Sequence, residues 1–166
     1  LNIVAKLIEA RATVDQAPEN GKTALMFAAR RGHLNIVAKL IEARATVDQV
    51  SKNGVTALML AAECDYLDIV TMLIEASATV DQADKKGYTA LMIAARCGHL
   101  FIVTKLIGTG ATVDQSDENG KTALMYAARR GHLNIVAKLI EASATVDQSD
   151  ENGWTALILA ARFGHL

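Results

Sequence analysis

Aromatic residues are scarce in this chain of 166 residues, at 4%, although 51% of its residues are apolar. A core with so few rings must be built from Ala, Leu, Ile, Val and Met, which suits closely packed helices. The formal net charge is only −1, so no overall field draws the chain to nucleic acid or to an acidic membrane. The composition therefore predicts a helical protein and disfavours nucleic acid as its partner.

Long hydrophobic runs are also missing. Charged residues such as Lys39 and Glu42 interrupt every apolar stretch, so no segment approaches the roughly 20 apolar residues that span a bilayer. We expect no membrane span, and no signal peptide either, because the first residues repeat a pattern found later in the chain. Only two cysteines occur, Cys64 and Cys97. Helices packed about 8–10 Å apart hold such residues too far apart for a disulfide. Free thiols favour an intracellular, cytoplasmic location.

What the chain has in abundance is repetition with a fixed period. Glycines recur every 33 residues, and threonines keep the same spacing two residues later. A period of this size is typical of solenoids built from stacked helical units. We expect one repeat domain over residues 1–166, with complete repeats at 17–49, 50–82, 83–115 and 116–148 and partial repeats at 1–16 and 149–166.

One repeat, residues 117–148, predicts a turn followed by two helices. Asn119-Gly120 is a turn signal, and Thr122 stands where a helix N-cap belongs. The first helix, ALMYAARR, ends at Gly131, and LNIVAKLIEA forms the second. Neither helix reaches the 12–15 residues needed for marginal stability in water. Stacking of neighbouring repeats must therefore supply the stability.

The motif G-x-T-A-L-M-x-A-A-x-x-G-H, followed by I-V-x-x-L-I and A-T-V-D, resembles the ankyrin repeat. The resemblance covers the whole chain. It implies an all-α repeat solenoid of stacked helix-turn-helix repeats joined by β-turn or hairpin loops. It also implies a concave face, lined by turn tips and first helices, that binds a protein partner.

Three departures from the family pattern carry structural predictions. Alanine replaces the family proline at the first position of each first helix, which keeps the helix but loses a preset φ. Met26, Met59, Met92 and Met125, with Ile158, replace the family histidine and predict an apolar row in the interior. Where the family usually has glycine after the second helix, this chain has Gly110 once but otherwise Arg11, Arg44, Ser77 and Ser143. A left-handed backbone there would cost each non-glycine residue about 1–2 kcal/mol.

The residues that could carry chemistry recur too often to form one site. His33, His99, His132 and His165 repeat with the framework, so we assign them to structural hydrogen bonds at the turn between the two helices. The two cysteines with His99 do not reach four ligands at zinc-site spacing. No catalytic or phosphate-binding motif occurs. The sequence predicts neither an enzyme nor a cofactor nor a metal site.

Variation between otherwise similar repeats points to a binding surface. Three sets of positions differ from repeat to repeat: the residue after the turn glycine, a pair near the end of the first helix, and the turn tip, which alternates between acidic residues (Glu19, Glu118 and Glu151) and basic residues (Lys52, Lys85 and Lys86). Exposed Trp and Tyr flanked by Arg have the composition of binding hot spots, although a variable solvated surface would also give such differences. The predicted partner-binding residues are Lys22, Val55, Tyr88, Lys121 and Trp154 after the glycines, and Arg30, Arg31, Glu63, Cys64, Arg96, Cys97, Arg129, Arg130, Arg162 and Phe163 on the first helices.

Two classes of function follow. The first is a non-catalytic scaffold that binds a protein partner, of unidentified kind, through this concave face. The second is a self-assembling array, because the first and last segments read as half-repeats without polar capping sequences. In that alternative a helix with Leu1, Ile3, Val4, Leu7 and Ile8 docks head-to-tail on Leu157, Ile158 and Ala161 of another copy.

Overall fold

A computed structural model describes residues 3–166, which contain ten α-helices and no named strand. The chain divides into two compact units, Leu1–Thr79 and Val80–Leu166. Each complete repeat holds one pair of helices, seven to nine residues long. The all-α repeat fold predicted from the period is confirmed. Unit 1 contains α1 (Ile3–Glu9), α2 (Ala24–Arg31), α3 (Leu34–Glu42), α4 (Ala57–Glu63) and α5 (Leu67–Glu75). Unit 2 contains α6 (Ala90–Cys97), α7 (Leu100–Gly108), α8 (Ala123–Arg130), α9 (Leu133–Glu141) and α10 (Ala156–Arg162).

The first helix of each pair begins at the predicted threonine cap. Thr122 has an extended backbone, and its hydroxyl oxygen accepts a hydrogen bond from the Met125 N–H at 3.4 Å. Thr23, Thr56, Thr89 and Thr155 cap their helices in the same way. The cap satisfies one of the backbone donors that a helix start leaves without a partner.

Short helices are stabilised here by packing on their neighbours. In unit 1, α2 packs on α3 and α4, and α3 packs on α5. In unit 2, α8 contacts α6, α9 and α10, and α7 contacts α9. Helices of this length are marginal alone, so these contacts stabilise them.

The predicted methionine row lies in the core of both units. Met26 and Met59 are 1% exposed in unit 1, and Met92 and Met125 are equally buried in unit 2. Ile158 departs from this prediction, because it is 44% exposed. It lies on α10, which has a first helix beside it but no second helix packed on it within the described residues.

A ladder of Asp–Thr pairs joins the extended segments of successive repeats. In unit 1 the Asp48 carboxylate accepts the backbone N–H of Thr79 at 2.9 Å and its hydroxyl at 2.6 Å. Asp81 and Thr112 form the same pair in unit 2. The A-T-V-D element therefore supplies both partners of a hydrogen-bonded contact between one repeat and the next.

The backbone after each second helix is left-handed, which is the condition under which a non-glycine residue at this position carries a cost. Arg44 has a φ of 63° and Ser143 a φ of 66°, while Gly110 occupies the same turn in unit 2 with a φ of 94°. Arg11 and Ser77 share the conformation. Four non-glycine residues thus occupy a backbone region that disfavours a Cβ atom.

Two of the four histidines, His132 and His165, make structural bonds with a partner in the preceding repeat rather than in the turn itself. His132 Nε2 donates to the Arg96 carbonyl at 3.2 Å, and His165 Nε2 to the Arg129 carbonyl at 3.1 Å. A carbonyl oxygen only accepts, so Nε2 carries the proton. A Cβ on Gly131 would lie 2.6 Å from the His165 ring, which explains the glycine at that place.

Candidate binding surface

An aspartate at the start of each turn tip in unit 2 positions the residue after the turn glycine. One oxygen of Asp150, Oδ1, accepts the N–H groups of Asn152 at 2.9 Å and Trp154 at 3.0 Å. Asp117 holds the preceding tip through Asn119 and Lys121 in the same way. This local turn fixes the backbone from which the Trp154 side chain projects toward the first helix.

Four side chains of unit 2 form one cluster, here called the Tyr88 cluster: Tyr88, Arg96, Asp117 and Tyr126. The rings of Tyr88 and Tyr126 lie 5.6 Å apart between centroids, and the Arg96 guanidinium carbon is 5.2 Å from the Tyr88 centroid. Tyr126 donates its hydroxyl proton to Asp117 Oδ2 at 2.5 Å. The Tyr88 hydroxyl lies 3.0 Å from that of Tyr126 and is the donor there, because Tyr126 has only one proton.

The Tyr126 hydroxyl is held in its neutral form. Burial raises its pKa far above the ordinary range, and the hydrogen bond to the Asp117 carboxylate raises it further. Asp117 is itself buried, at 5% exposure. A buried carboxylate is stabilised when an O–H group donates to it, so the two residues form a matched pair.

The next repeat has a pocket of about 190 Å³ at the corresponding place, here called the Trp154 pocket. Trp154 and Phe163 supply aromatic walls. The Arg162 guanidinium carbon lies 4.7 Å from the Trp154 ring centroid, and that of Arg129 lies 5.2 Å from the Phe163 centroid. Such stacking is worth about 0.5–1 kcal/mol at exposed sites and holds both rings and cations in place.

Asp150 and Lys121 also line this pocket. Their side chains are 1% and 26% exposed, and Lys121 Nζ lies 3.8 Å from Asp150 Oδ2. That distance permits electrostatic pairing but is too long for a hydrogen bond. Among residues 3–166, Oδ2 has no hydrogen-bond donor.

A sequence model described as "Ankyrin repeats (3 copies)" matches residues 1–84, 45–117 and 91–166, which together span the chain. The chain belongs to the ankyrin-repeat family. Ankyrin repeats generally mediate protein–protein interaction. A search of curated proteins found no match. No helix among the described residues is long and apolar enough to cross a membrane.

In unit 2 of this ankyrin-repeat chain, most of the predicted binding residues come together. The Arg96 guanidinium lies over the Tyr88 ring, and five more of the predicted residues line the Trp154 pocket. Cys97 and Arg130 are exposed on the first helices, but no ring contact joins them to either group within residues 3–166. The five that line the pocket are Lys121, Arg129, Trp154, Arg162 and Phe163.

In the described part of unit 1, the predicted residues form no arginine–ring group like those of unit 2. Arg30, Arg31 and Glu63 are exposed, whereas Lys22, Val55 and Cys64 are half-buried. None of the arginine–ring pairs of the described chain lies in unit 1, because neither Lys22 nor Val55 supplies a ring there.

Sequence reasoning missed Asp117, Tyr126, Asp150 and Leu159. The sequence held a signal for Tyr126, because its replacement of Phe27 is one of only two differences between residues 19–49 and 118–148. Tyr126 is buried, so a search for exposed variable residues passes over it.

Proposed function

We propose that this chain is a non-catalytic protein-binding module that holds its partner on the turn tips and first helices of unit 2. The observation that carries the proposal is the pair of arginine-stacked aromatic groups, the Tyr88 cluster and the Trp154 pocket. Interfaces are enriched in Tyr, Trp and Arg, and rings already held by neighbours lose little conformational freedom on binding.

The charged residues around the Trp154 pocket indicate which charge a complementary partner surface should carry. Lys121, Arg129 and Arg162 line the Trp154 pocket, against the single carboxylate of Asp150. A partner segment with acidic side chains would complement this surface and associate faster at low salt. We therefore expect an acidic epitope.

Substitution of the aromatic anchor tests the proposal. Proteins captured by the wild-type chain, identified by mass spectrometry, should be lost with Trp154→Ala and weakened with Tyr88→Ala. Truncation of a hot-spot ring costs about 2 kcal/mol or more, roughly a thirtyfold loss of affinity. Phe101→Ala is the matched control, because Phe101 is an aromatic side chain 74% exposed on a second helix, outside both groups. Equal capture by Trp154→Ala and Phe101→Ala would show that the surface is misassigned.

The exposed apolar faces favour head-to-tail self-association as a second candidate. In unit 1, Ile3 and Leu7 of α1 are 76% and 54% exposed, and Leu1 lies outside the described residues. In unit 2, a groove of about 250 Å³ is lined by Leu133, Val136, Ile140, Val146 and Leu157. Residues 3–9 have the same sequence as 36–42 and 135–141, which belong to helices that pack on first helices.

Light scattering over a concentration series tests this second candidate. Self-association should raise the apparent mass with concentration, and Leu157→Lys should abolish the rise by placing a charge in the groove. A monomer at the highest concentration would refute it. Trp154→Ala lies outside the groove and should not change the mass.

A further inference from the structure

The Trp154 pocket contains a buried acceptor to which none of residues 3–166 donates a hydrogen bond. Asp150 is 5% exposed, and its Oδ1 is engaged by two backbone N–H groups. Its other oxygen, Oδ2, has no donor among residues 3–166 and lies 3.8 Å from Lys121 Nζ. Buried oxygens of this kind are normally hydrogen-bonded, so a donor group on a bound molecule would satisfy this atom.

The preceding repeat shows which donor fits. Asp117 precedes Asp150 by one period, and its Oδ2 accepts the Tyr126 hydroxyl proton at 2.5 Å. One period further along the chain, Leu159 takes the position of Tyr126, and Lys121 takes the position of Tyr88. The phenol that satisfies Asp117 is therefore missing beside Asp150, and Leu159 lines the pocket at this place.

The other walls of the pocket suit an aromatic ring. Trp154 and Phe163 offer ring surfaces, and the guanidinium groups of Arg129 and Arg162 can stack on a third ring. With Lys121 these arginines place three positive charges around one carboxylate. This excess of positive charge disfavours a cationic ligand. It favours a neutral phenol that has acidic residues beside it.

We propose that the Trp154 pocket binds a tyrosine side chain of a partner protein, whose hydroxyl donates to Asp150 Oδ2. Acidic residues beside that tyrosine face Lys121, Arg129 and Arg162. Because Oδ2 is covered, the Lys121 side chain swings toward solvent as the ring enters. This inference rests on the proposed function, since it specifies the chemistry of the partner.

The single tryptophan of the chain reports binding directly, because Trp154 forms a pocket wall. The whole chain is titrated with a short acidic peptide that contains one tyrosine, and with twins that carry phenylalanine or phosphotyrosine instead. We expect the tyrosine peptide to change Trp154 fluorescence and to bind about tenfold or more tightly than the phenylalanine twin, since it adds one hydrogen bond to a charged group. The phosphotyrosine twin lacks the hydroxyl proton and should bind more weakly than the tyrosine peptide.

Two variants locate the contact. Asp150→Asn can keep both backbone bonds through its carbonyl oxygen, but it removes the charged acceptor for the tyrosine hydroxyl, so the preference for tyrosine over phenylalanine should fall well below the wild-type value. Leu159→Tyr supplies the missing phenol from within and should abolish peptide binding without lowering the urea midpoint. Leu159→Met preserves the volume without a hydroxyl and should retain binding.

Several results would overturn the inference: no binding of the tyrosine peptide, equal binding of the phenylalanine twin, tighter binding of the phosphotyrosine twin, or a tyrosine preference as large in Asp150→Asn as in the wild type. Capture of a natural partner by the variants distinguishes failure of the tyrosine inference from failure of the proposed function. If Trp154→Ala loses the partner while Leu159→Tyr and Asp150→Asn keep it, the tyrosine inference is wrong and the binding surface stands. If all three variants keep the partner, both are wrong.

Discussion

Replacement of Arg44 by glycine changes one strained backbone position in a turn that the chain also builds with glycine. Arg44 has a φ of 63° and an exposed side chain. Its N–H donates to the Ile41 carbonyl, and the next N–H donates to Leu40, both at 2.9 Å. Gly110 forms the same pair of bonds at 3.0 Å, so the turn accepts glycine with its hydrogen bonds intact.

The expected gain is the difference between two opposing effects. Relief of the left-handed conformation at a residue with a Cβ is worth about 1–2 kcal/mol. Glycine also makes the unfolded chain more flexible, which costs about 0.4–1 kcal/mol. The free energy of unfolding should therefore rise by about 0.5–1 kcal/mol, and the Tm of a chain of this size by roughly 1–4 °C.

Urea and thermal unfolding followed by circular dichroism measure this change. Gly110→Ala is the reverse control and should lower stability, because a Cβ there meets no atom within 4 Å and the cost is conformational only. Ser143→Gly repeats the test in unit 2, where φ is 66°. An unchanged or lower midpoint for Arg44→Gly, at an unchanged m-value, would refute the assignment of strain to this turn.

The remaining predictions concern three other contacts: the Tyr126–Asp117 hydrogen bond, the Thr89 cap and the Asp81–Thr112 pair. Tyr126→Phe should cost about 1.5–3 kcal/mol, because it removes the donor to buried Asp117. The raised pKa of Tyr126 also gives a pH dependence: the unfolded phenol ionises above about pH 10 and the folded one does not, so stability should fall as the pH rises above 10. Thr89→Ala should cost about 1 kcal/mol through loss of the α6 cap. Asp81→Ala should cost about 1 kcal/mol through loss of the Thr112 bonds.

Matched variants control each of these. Tyr88→Phe keeps the Tyr126–Asp117 bond and should cost less than Tyr126→Phe. Thr89→Ser keeps a capping hydroxyl and should remain near wild type. Asp81→Asn keeps one acceptor and should lose about half as much as Asp81→Ala. Urea unfolding measures the free energy of unfolding of every variant. Spectrophotometric titration measures the ionisation of the Tyr126 phenol. A Tyr126 that titrates near pH 10 in the folded chain, or a control that costs as much as its partner variant, contradicts the corresponding contact.

Local features of the fold were predictable because short stretches of chain determine them. A threonine cap needs only the N–H three residues later, and a left-handed turn needs only the backbone around it. The methionine row followed from periodicity, since identical repeats present identical faces. Ile158 broke this rule because its burial depends on a second helix rather than on its own sequence. The histidine bonds to the preceding repeat were missed because sequence spacing within one repeat does not identify partners in another.

The repeat, the positions of the helices and the family could all be predicted from the amino-acid sequence, because they depend on local signals copied every 33 residues. The sequence also marked Trp154, Arg162 and Phe163 as variable. Their proximity, and the place of Asp150 beside them with no donor to Oδ2 among residues 3–166, follow from the tertiary structure alone. The physical reason is that hydrogen-bond satisfaction of a buried group depends on side chains from two repeats. One substitution, Leu159 for the tyrosine of the preceding repeat, leaves an acceptor to be completed by another molecule.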